Sequence, residues 1–478
     1  MTFTKFDKYI DRHARTFTER LQALCRMPSV AARGTGMRAI AEFVEQSMQR
    51  VGVGTRTFKM GNGYPIIYGE CGGGPKTFVI YGHYDVQPVG HLTEWSSGPF
   101  AAMIQDGKLI ARGAANSKGN LIARLAAVEA YQKTFGKLPV TLRFLIEGED
   151  GLGSPSLYRF TNEHADLLQA DGCLWDEGYR DTKETPVVSL GFKGITFLEL
   201  RAFGARSDLH SKWGTIVPNP AWRLVQALAT ITSPKGVITI DGFSSHIAPI
   251  SDEDTEVLKS IELDEVGLKK EFRIASWVRA MKGATLVKEH FFGPTCTICG
   301  IQTGHTDAGA KTVLPSMAMA RLDFRLVPDL TSDLVIDLLR QHLDLRGFKD
   351  IEIIELGSAP LAKSSASSRV ARAVIDSTAE VYGRPALVYP MDPSSGPVGA
   401  VCGVSQPAIP VASFGIGYSG SNPHGPDENI RIDDFLQSIK LIGRVIHRLG
   451  ESKTVKPSLS DERSTAPLPR LKHLEKRD

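Results

Sequence analysis

His83 and Asp85 stand two apart in "GHYDVQP", where the apolar run "KTFVIY" gives way to a polar loop. In an extended strand residues i and i+2 share a face, so this carboxylate can orient the imidazole, or both can approach a cation. A second cluster, "IEGEDGLGS", carries Glu147, Glu149 and Asp150 at the end of another apolar run. Crowded acids suit a general base beside a metal ligand, and the run of acids stops at Gly151. Asn116 lies in "ARGAANSKGN", a glycine-punctuated loop entering a helix, which brings its backbone amides to the same edge. Asp176 in "WDEGY" follows a short apolar run, and His424 in "SNPHGPDEN" follows the late run "VASFGIG". Each has a plain alternative. A bare His-x-Asp is more often a solvated loop or a helix cap than a site, and glycine-punctuated loops are common. The common position of all these groups, at the ends of apolar runs, carries the information.

The elements that must position them follow from periodicity. Residues 6–26 and "GMRAIAEFVEQSMQRVG" repeat apolar positions at helical spacing, the second closing on Gly52. "KTFVIYGHYDVQP" and "VTLRFLIEGED" read as buried strands ending in polar loops, with the helix "NLIARLAAVEAYQKTFG" between them. Strand, loop, helix, strand is the rhythm of an α/β sheet, whose sites collect at strand C-terminal ends. From about residue 193 the texture changes. "GITFLELRAFG", "TCTICGIQTG" and "MAMARLDFRLVP" alternate as half-exposed strands, accompanied by the helices "NPAWRLVQALATI" and "SDLVIDLLRQHL". After about residue 360 the buried-strand style returns. The expected organisation is an α/β domain over 1–192 and 359–450, interrupted by an α+β domain over 193–358. Residues 451–478, charged and proline-bearing, read as a loosely ordered tail.

Composition narrows the function. The chain has 478 residues, 42% hydrophobic and 23% charged, with a net charge of +3, which is ordinary for a globular protein of two domains. No basic stripe with interleaved aromatics points to nucleic acid. No apolar run approaches the ~18 residues of a membrane span, and the charged N-terminus lacks a signal-peptide core. The six cysteines form no disulfide framework. Cys296 and Cys299 in "CTIC" fall on opposite faces of a strand, so a plain strand outweighs a redox or zinc reading. A reducing cytoplasm is the expected location.

Taken together, "GHYDVQP", "ARGAANSKGN", "EGEDGLGS", "SDLHSKWG", "KTVLP", "DFRLVP" and "NPHGPDENI" stand in one order along nearly the whole chain up to about residue 450. In that order and spacing the sequence resembles the di-zinc metallopeptidase family of carnosinase, aminoacylase, acetylornithine deacetylase and succinyl-diaminopimelate desuccinylase. The resemblance implies a zinc-peptidase-like catalytic domain with an inserted lid that also dimerises, hence a homodimer. It places His83 and Asp176 as terminal ligands of one zinc, Asp85 as the acid orienting the histidine, and His424 on the second zinc. Asn116 falls where the family has a bridging aspartate, Asp150 on its general base, and Gly151 on a glutamate ligand of the second zinc. A shift by one residue makes Glu149 the base and Asp150 the ligand.

These departures have physical weight. Two zinc ions about 3.5–4 Å apart need a bridging anion, whereas an asparagine offers one neutral carbonyl oxygen. Zinc takes three or four good ligands, so the expectation is at most one zinc or other divalent ion, or none. The binding pocket departs less. By resemblance Arg325 grips a substrate carboxylate, Thr312 and Ser395 help hold substrate, and His210 polarises the scissile carbonyl in the partner subunit's site. Tyr179 lies near Asp176 and can line the pocket. The loop "MDPSSGP" differs elsewhere, with Met391, Pro393 and Ser394 in place of an arginine and two glycines.

Three functions remain open at this point. The first is hydrolysis of amide bonds in small amino-acid-derived carboxylates, dipeptides or N-acyl amino acids, on a single-metal or rebuilt site. The second is a metal-independent enzyme using the same pocket for acyl transfer, isomerisation or elimination, with His83, Asp85, Asp150 and His424 as acid–base groups and Ser394 or Ser395 as nucleophile. The third is a non-catalytic binding subunit. All three expect a small carboxylate-bearing partner and neither nucleic acid nor membrane.

Overall fold

The computed structural model describes residues 3–403 and 407–451; the tail beyond Glu451 lies outside the described residues. The α/β expectation holds. One mixed sheet of eight strands runs, in spatial order, Gly54–Phe58, Ile66–Gly72, Thr141–Glu147, Thr77–His83, Gly172–Trp175, Val411–Ser413, Val187–Ser189 and Leu387–Tyr389. Its four central strands, from Thr141–Glu147 to Val411–Ser413, are parallel. Their C-terminal ends therefore share one edge, and His83, Glu147, Asp176 and their loops gather there.

Alternation along these strands builds the layers. Phe78, Ile80, Leu142, Phe144 and Ile146 face one side, packed under the helices Thr4–Cys25, Gly119–Phe135 and Ile432–Gly450. Val79, Tyr81, Leu145, Cys173 and Trp175 face the other, covered by Pro155–Glu163 and Val398–Cys402. Tyr81 stacks flat on Trp175 with ring centroids 3.7 Å apart. Each such fully buried side chain contributes roughly 1.5–3 kcal/mol, which fixes the strand ends that carry the polar groups. The central helix Gly119–Phe135 is buried on all sides over its first ten residues, so its first turn is held where the Asn116 loop enters it.

Residues 194–359 form a second sheet, antiparallel, in the order Thr295–Thr303, Met317–Leu326, Gly194–Phe203, Glu352–Ala359. Helices Pro220–Ile231 and Ser332–Leu345 cover one face over Leu198, Leu200, Ala320, Leu322 and Phe324. The edge strand Thr295–Thr303 carries a bulge between Ile298 and Gly300. Both cysteines of "CTIC" are free thiols, Cys296 opposite Phe324 and Cys299 exposed at the bulge. Among the described residues no helix is long and apolar enough to cross a membrane.

The two sheets join at a paired crossing, where Gly191–Phe192 run antiparallel to Ala362–Lys363. Lys193, 2% exposed, sits at this hinge and donates to the carbonyls of His290 (2.9 Å) and Gly293 (2.7 Å), capping the helix Gly283–Phe292. Burial lowers its ammonium from 10.5 to about 8. The folded pKa lies below the unfolded one, so the unfolded chain binds more protons between the two values, and stability rises as pH climbs through that window. In thermal melts the wild type is expected to gain about 2 kcal/mol relative to Lys193→Met between pH 8 and 9.5. A pH-independent gap between the two proteins contradicts this.

Candidate active site

His83, at the last position of its strand, is 5% exposed. Its Nδ1 faces the Asp85 carboxylate at 3.2 Å and the Asp85 carbonyl at 3.1 Å. Asp85 does more than orient the ring. Its two oxygens also accept the backbone N–H groups of Asp150 (3.2 Å) and Gly151 (2.9 Å), so one buried carboxylate sets both the imidazole and the turn carrying the acids. The Asp150 carboxylate then lies 3.8 Å from His83 Nε2. Glu149 turns elsewhere: it is buried, and its two oxygens accept the backbone N–H groups of Tyr64 and Ser156, each at 2.8 Å. The acid facing His83 is thus Asp150. Gly148 allows this tight turn, since a Cβ there would lie 2.3 Å from the Tyr84 ring.

Asn116 joins the two histidines directly. His83 Nε2 donates to its carbonyl oxygen at 2.8 Å, and its amide nitrogen donates to His424 Nε2 at 3.0 Å. Burial alone would depress His83, but the charges of Asp150, Asp85 and Asp176 outweigh it and hold the imidazole well above 6.5. His424 is shifted down, chiefly by burial, which suits its role as acceptor. Asp176 accepts a short hydrogen bond from Ser117, and its backbone carbonyl is held by Asn120 at 2.7 Å. Asp150 is raised by burial and by Asp85 and Asp176, against the lowering effect of His83.

Two acids that sequence reading passed over matter here. Glu428, fully buried, accepts Arg112 Nη1 (2.7 Å) and the backbone N–H groups of Gly113 (2.9 Å), Ala115 and Asn116 (3.0 Å each). Arg112 also donates to the His424 carbonyl at 2.9 Å. This ion pair locks the Asn116 loop to the His424 loop and steadies His424 in a left-handed conformation, φ 65°. The available signal was the acid four residues after His424 in the quoted motif. Glu177, next to Asp176, is exposed, and desolvation together with the charges of Asp176, Asp150 and Asp392 raises its carboxyl above the usual range.

The other expected residues form separate groups. His210 and Thr312 face each other across the Leu209–His210 and Val313–Leu314 pair, with Nε2 and Oγ1 3.4 Å apart, on the exposed rim of the inserted domain. Arg325 is half-buried on the strand Met317–Leu326, cross-strand from Thr295. Ser395 donates to the Gly194 carbonyl at 3.0 Å, which ties its loop to the hinge. Ser394 wraps onto Asp392 Oδ1 through its amide (2.9 Å) and hydroxyl (2.6 Å), and Met391 is fully buried in the core of the inserted domain. Tyr179 is 39% exposed.

Residues 79–448 match Peptidase family M20/M25/M40, more than half of the chain. The protein belongs to this peptidase family. It is 28% identical over 477 residues to the Cys-Gly metallodipeptidase dug1 of Schizosaccharomyces pombe, covering 94% of this chain and 98% of that protein. It is also 28% identical over 372 residues to the Beta-Ala-His dipeptidase of Rattus norvegicus, covering 72% and 74%. Among solved structures, the M20 family metallo-carboxypeptidase Sso-CP2 from Sulfolobus solfataricus matches with a TM-score of 0.85 and 32% identity over 90% of this chain and 98% of that one. The family is one of di-zinc metallopeptidases.

This chain's donors do not fit a zinc pair. Among the described residues no three or more His, Cys, Asp or Glu side chains converge on one point. Asn116 supplies a neutral oxygen, and a Cβ on Gly151 would meet the Gln87 amide at 3.1 Å in the slot where a ligand would project. One ion is a different matter: once the His83 Nε2 proton is given up, that nitrogen, the Asp176 carboxylate and the Asn116 carbonyl are a donor set of the right chemistry for a single divalent cation.

Proposed function

We propose that the protein hydrolyses amide bonds in small amino-acid-derived substrates bearing a carboxylate, on a site holding at most one divalent ion. The observation that carries the reading is the Asp150 carboxylate poised 3.8 Å from His83, with Asp85 fixing both. The relatives named for Cys-Gly and Beta-Ala-His dipeptides support the substrate class. In this reading Arg325 pairs with the substrate carboxylate through its planar fork, while Ser395 shapes the adjoining loop. An ion on His83, Asp176 and Asn116 would acidify water and polarise the carbonyl. Asp150 takes the proton from the attacking water and returns it to the leaving amine, its raised pKa making it a stronger base than an ordinary aspartate. His210, with Thr312 beside it, donates to the developing oxyanion of a second copy's site.

That last role requires a dimer through the inserted domain, and Trp222, 67% exposed, with Ile298 and Ile301 on the edge strand offer apolar surface for it. Both roles are read in one assay with Cys-Gly, β-Ala-His and N-acyl amino acids. Asp150→Asn and His210→Ala are each expected to lose at least ~100-fold in kcat. Mixing them should restore about a quarter of wild-type activity, because mixed dimers keep one intact site. Full activity in Asp150→Asn, or wild-type protein inert on every substrate, overturns the hydrolase reading; no restoration on mixing overturns the shared site.

A further inference from the structure

The inserted domain contains a cavity of about 560 Å³, within the ~300–1,000 Å³ range of small-molecule pockets. Its walls include Leu263, Leu268, Phe272, Trp277, Met281 and Leu286, contributed by the helices Glu265–Phe272 and Gly283–Phe292, their connection and the residues just before them. The ion pair of Arg279 and Glu289, 2.6 Å apart, adds polar groups to the lining without adding net charge. The indole N–H of Trp277 is buried without a hydrogen-bond partner, so an acceptor is missing there.

One end of this cavity reaches the substrate-binding elements. Thr295 lines it and is the cross-strand neighbour of Arg325, so both side chains stand on the same face of the sheet. His290 also lines it, and the charges of Lys193 and Asp392 both act on that imidazole. Asp392 organises the loop that carries Ser395, and Lys193 holds the carbonyls of His290 and Gly293. The cavity therefore ends at Thr295, His290 and Gly293, residues that adjoin Arg325 and Lys193 without those two lining it themselves.

We propose that this cavity is an extension of the substrate cleft, receiving a bulky apolar group, aromatic or branched, on the residue whose carboxylate Arg325 holds. The inference rests on the assignment of Arg325 in the proposed function, but not on turnover. It favours substrates with a large apolar C-terminal residue over those ending in glycine.

The test is calorimetric binding of 4-phenylbutyrate and butyrate, carboxylates that cannot be hydrolysed, to the full chain. Phenylbutyrate is expected to bind at least ten-fold more tightly. Met281→Trp, which fills the cavity, should abolish this preference while retaining butyrate binding, and Arg325→Met should weaken both ligands. Phe272→Ala, at a residue 56% exposed and tolerant of truncation, provides a second variant that should reduce the preference. Equal affinities in the wild type, or a preference unchanged by both cavity variants, overturn the proposal. A preference seen in a protein inert on every amide upholds the cavity and removes the hydrolase reading alone.

Discussion

Asn116→Asp combined with Gly151→Glu is expected to convert the site into one that binds two divalent ions, tightening the second by at least ~100-fold. Two doubly charged ions 3.5–4 Å apart repel by roughly 15–20 kcal/mol even at an effective dielectric near 20. A bridging carboxylate offsets that repulsion from between them; the Asn116 carbonyl does not. A Cβ at residue 151 would meet Asp85 Oδ2 and the Gln87 amide, each at 3.1 Å, so the second change fits once these neighbours give by a few tenths of an ångström. Either substitution alone leaves the second ion short of a ligand. Isothermal titration with zinc reads the result, and unchanged stoichiometry in the double variant would mean that these two positions do not face the metal edge.

The second large effect concerns Arg325. Replacing it with methionine removes a charge-assisted fork and is expected to raise KM by about 30–100-fold, some 2–3 kcal/mol, with a smaller change in kcat. Arg325→Lys should recover only part of the loss, because an ammonium cannot make two parallel bonds to one carboxylate. A KM unmoved by Arg325→Met would place the carboxylate grip elsewhere in the cleft.

Much of this site was legible in the sequence because parallel strands deliver their loops to a single edge. His83, Asp85, Asp150 and Asp176 each follow an apolar run, and the fold had only to align those runs. The motif spacing favoured Asp150 over Glu149, but the physical reason was not legible. It lies in which acid the Tyr64 and Ser156 amides capture, and neither amide carries a sequence signature. Glu428 escaped for a related reason: its partners, Arg112 to Asn116, lie more than 300 residues earlier and meet it only through the strand Asn429–Arg431 pairing with Lys108–Ile110. The apolar cavity was equally hidden, because its walls come from short helices of weak periodicity between residues 261 and 294. What periodicity reveals is the scaffold; what it conceals are long-range contacts of loops with loops.

The number of metal ions held per wild-type chain separates a single-ion site from a zinc pair. Native mass spectrometry after equilibration with excess zinc, together with anomalous density from crystals grown in zinc, measures it directly. One ion or none per chain, with any density centred between His83 and Asp176, is the predicted result. Two fully occupied ions beside Asn116 would contradict it.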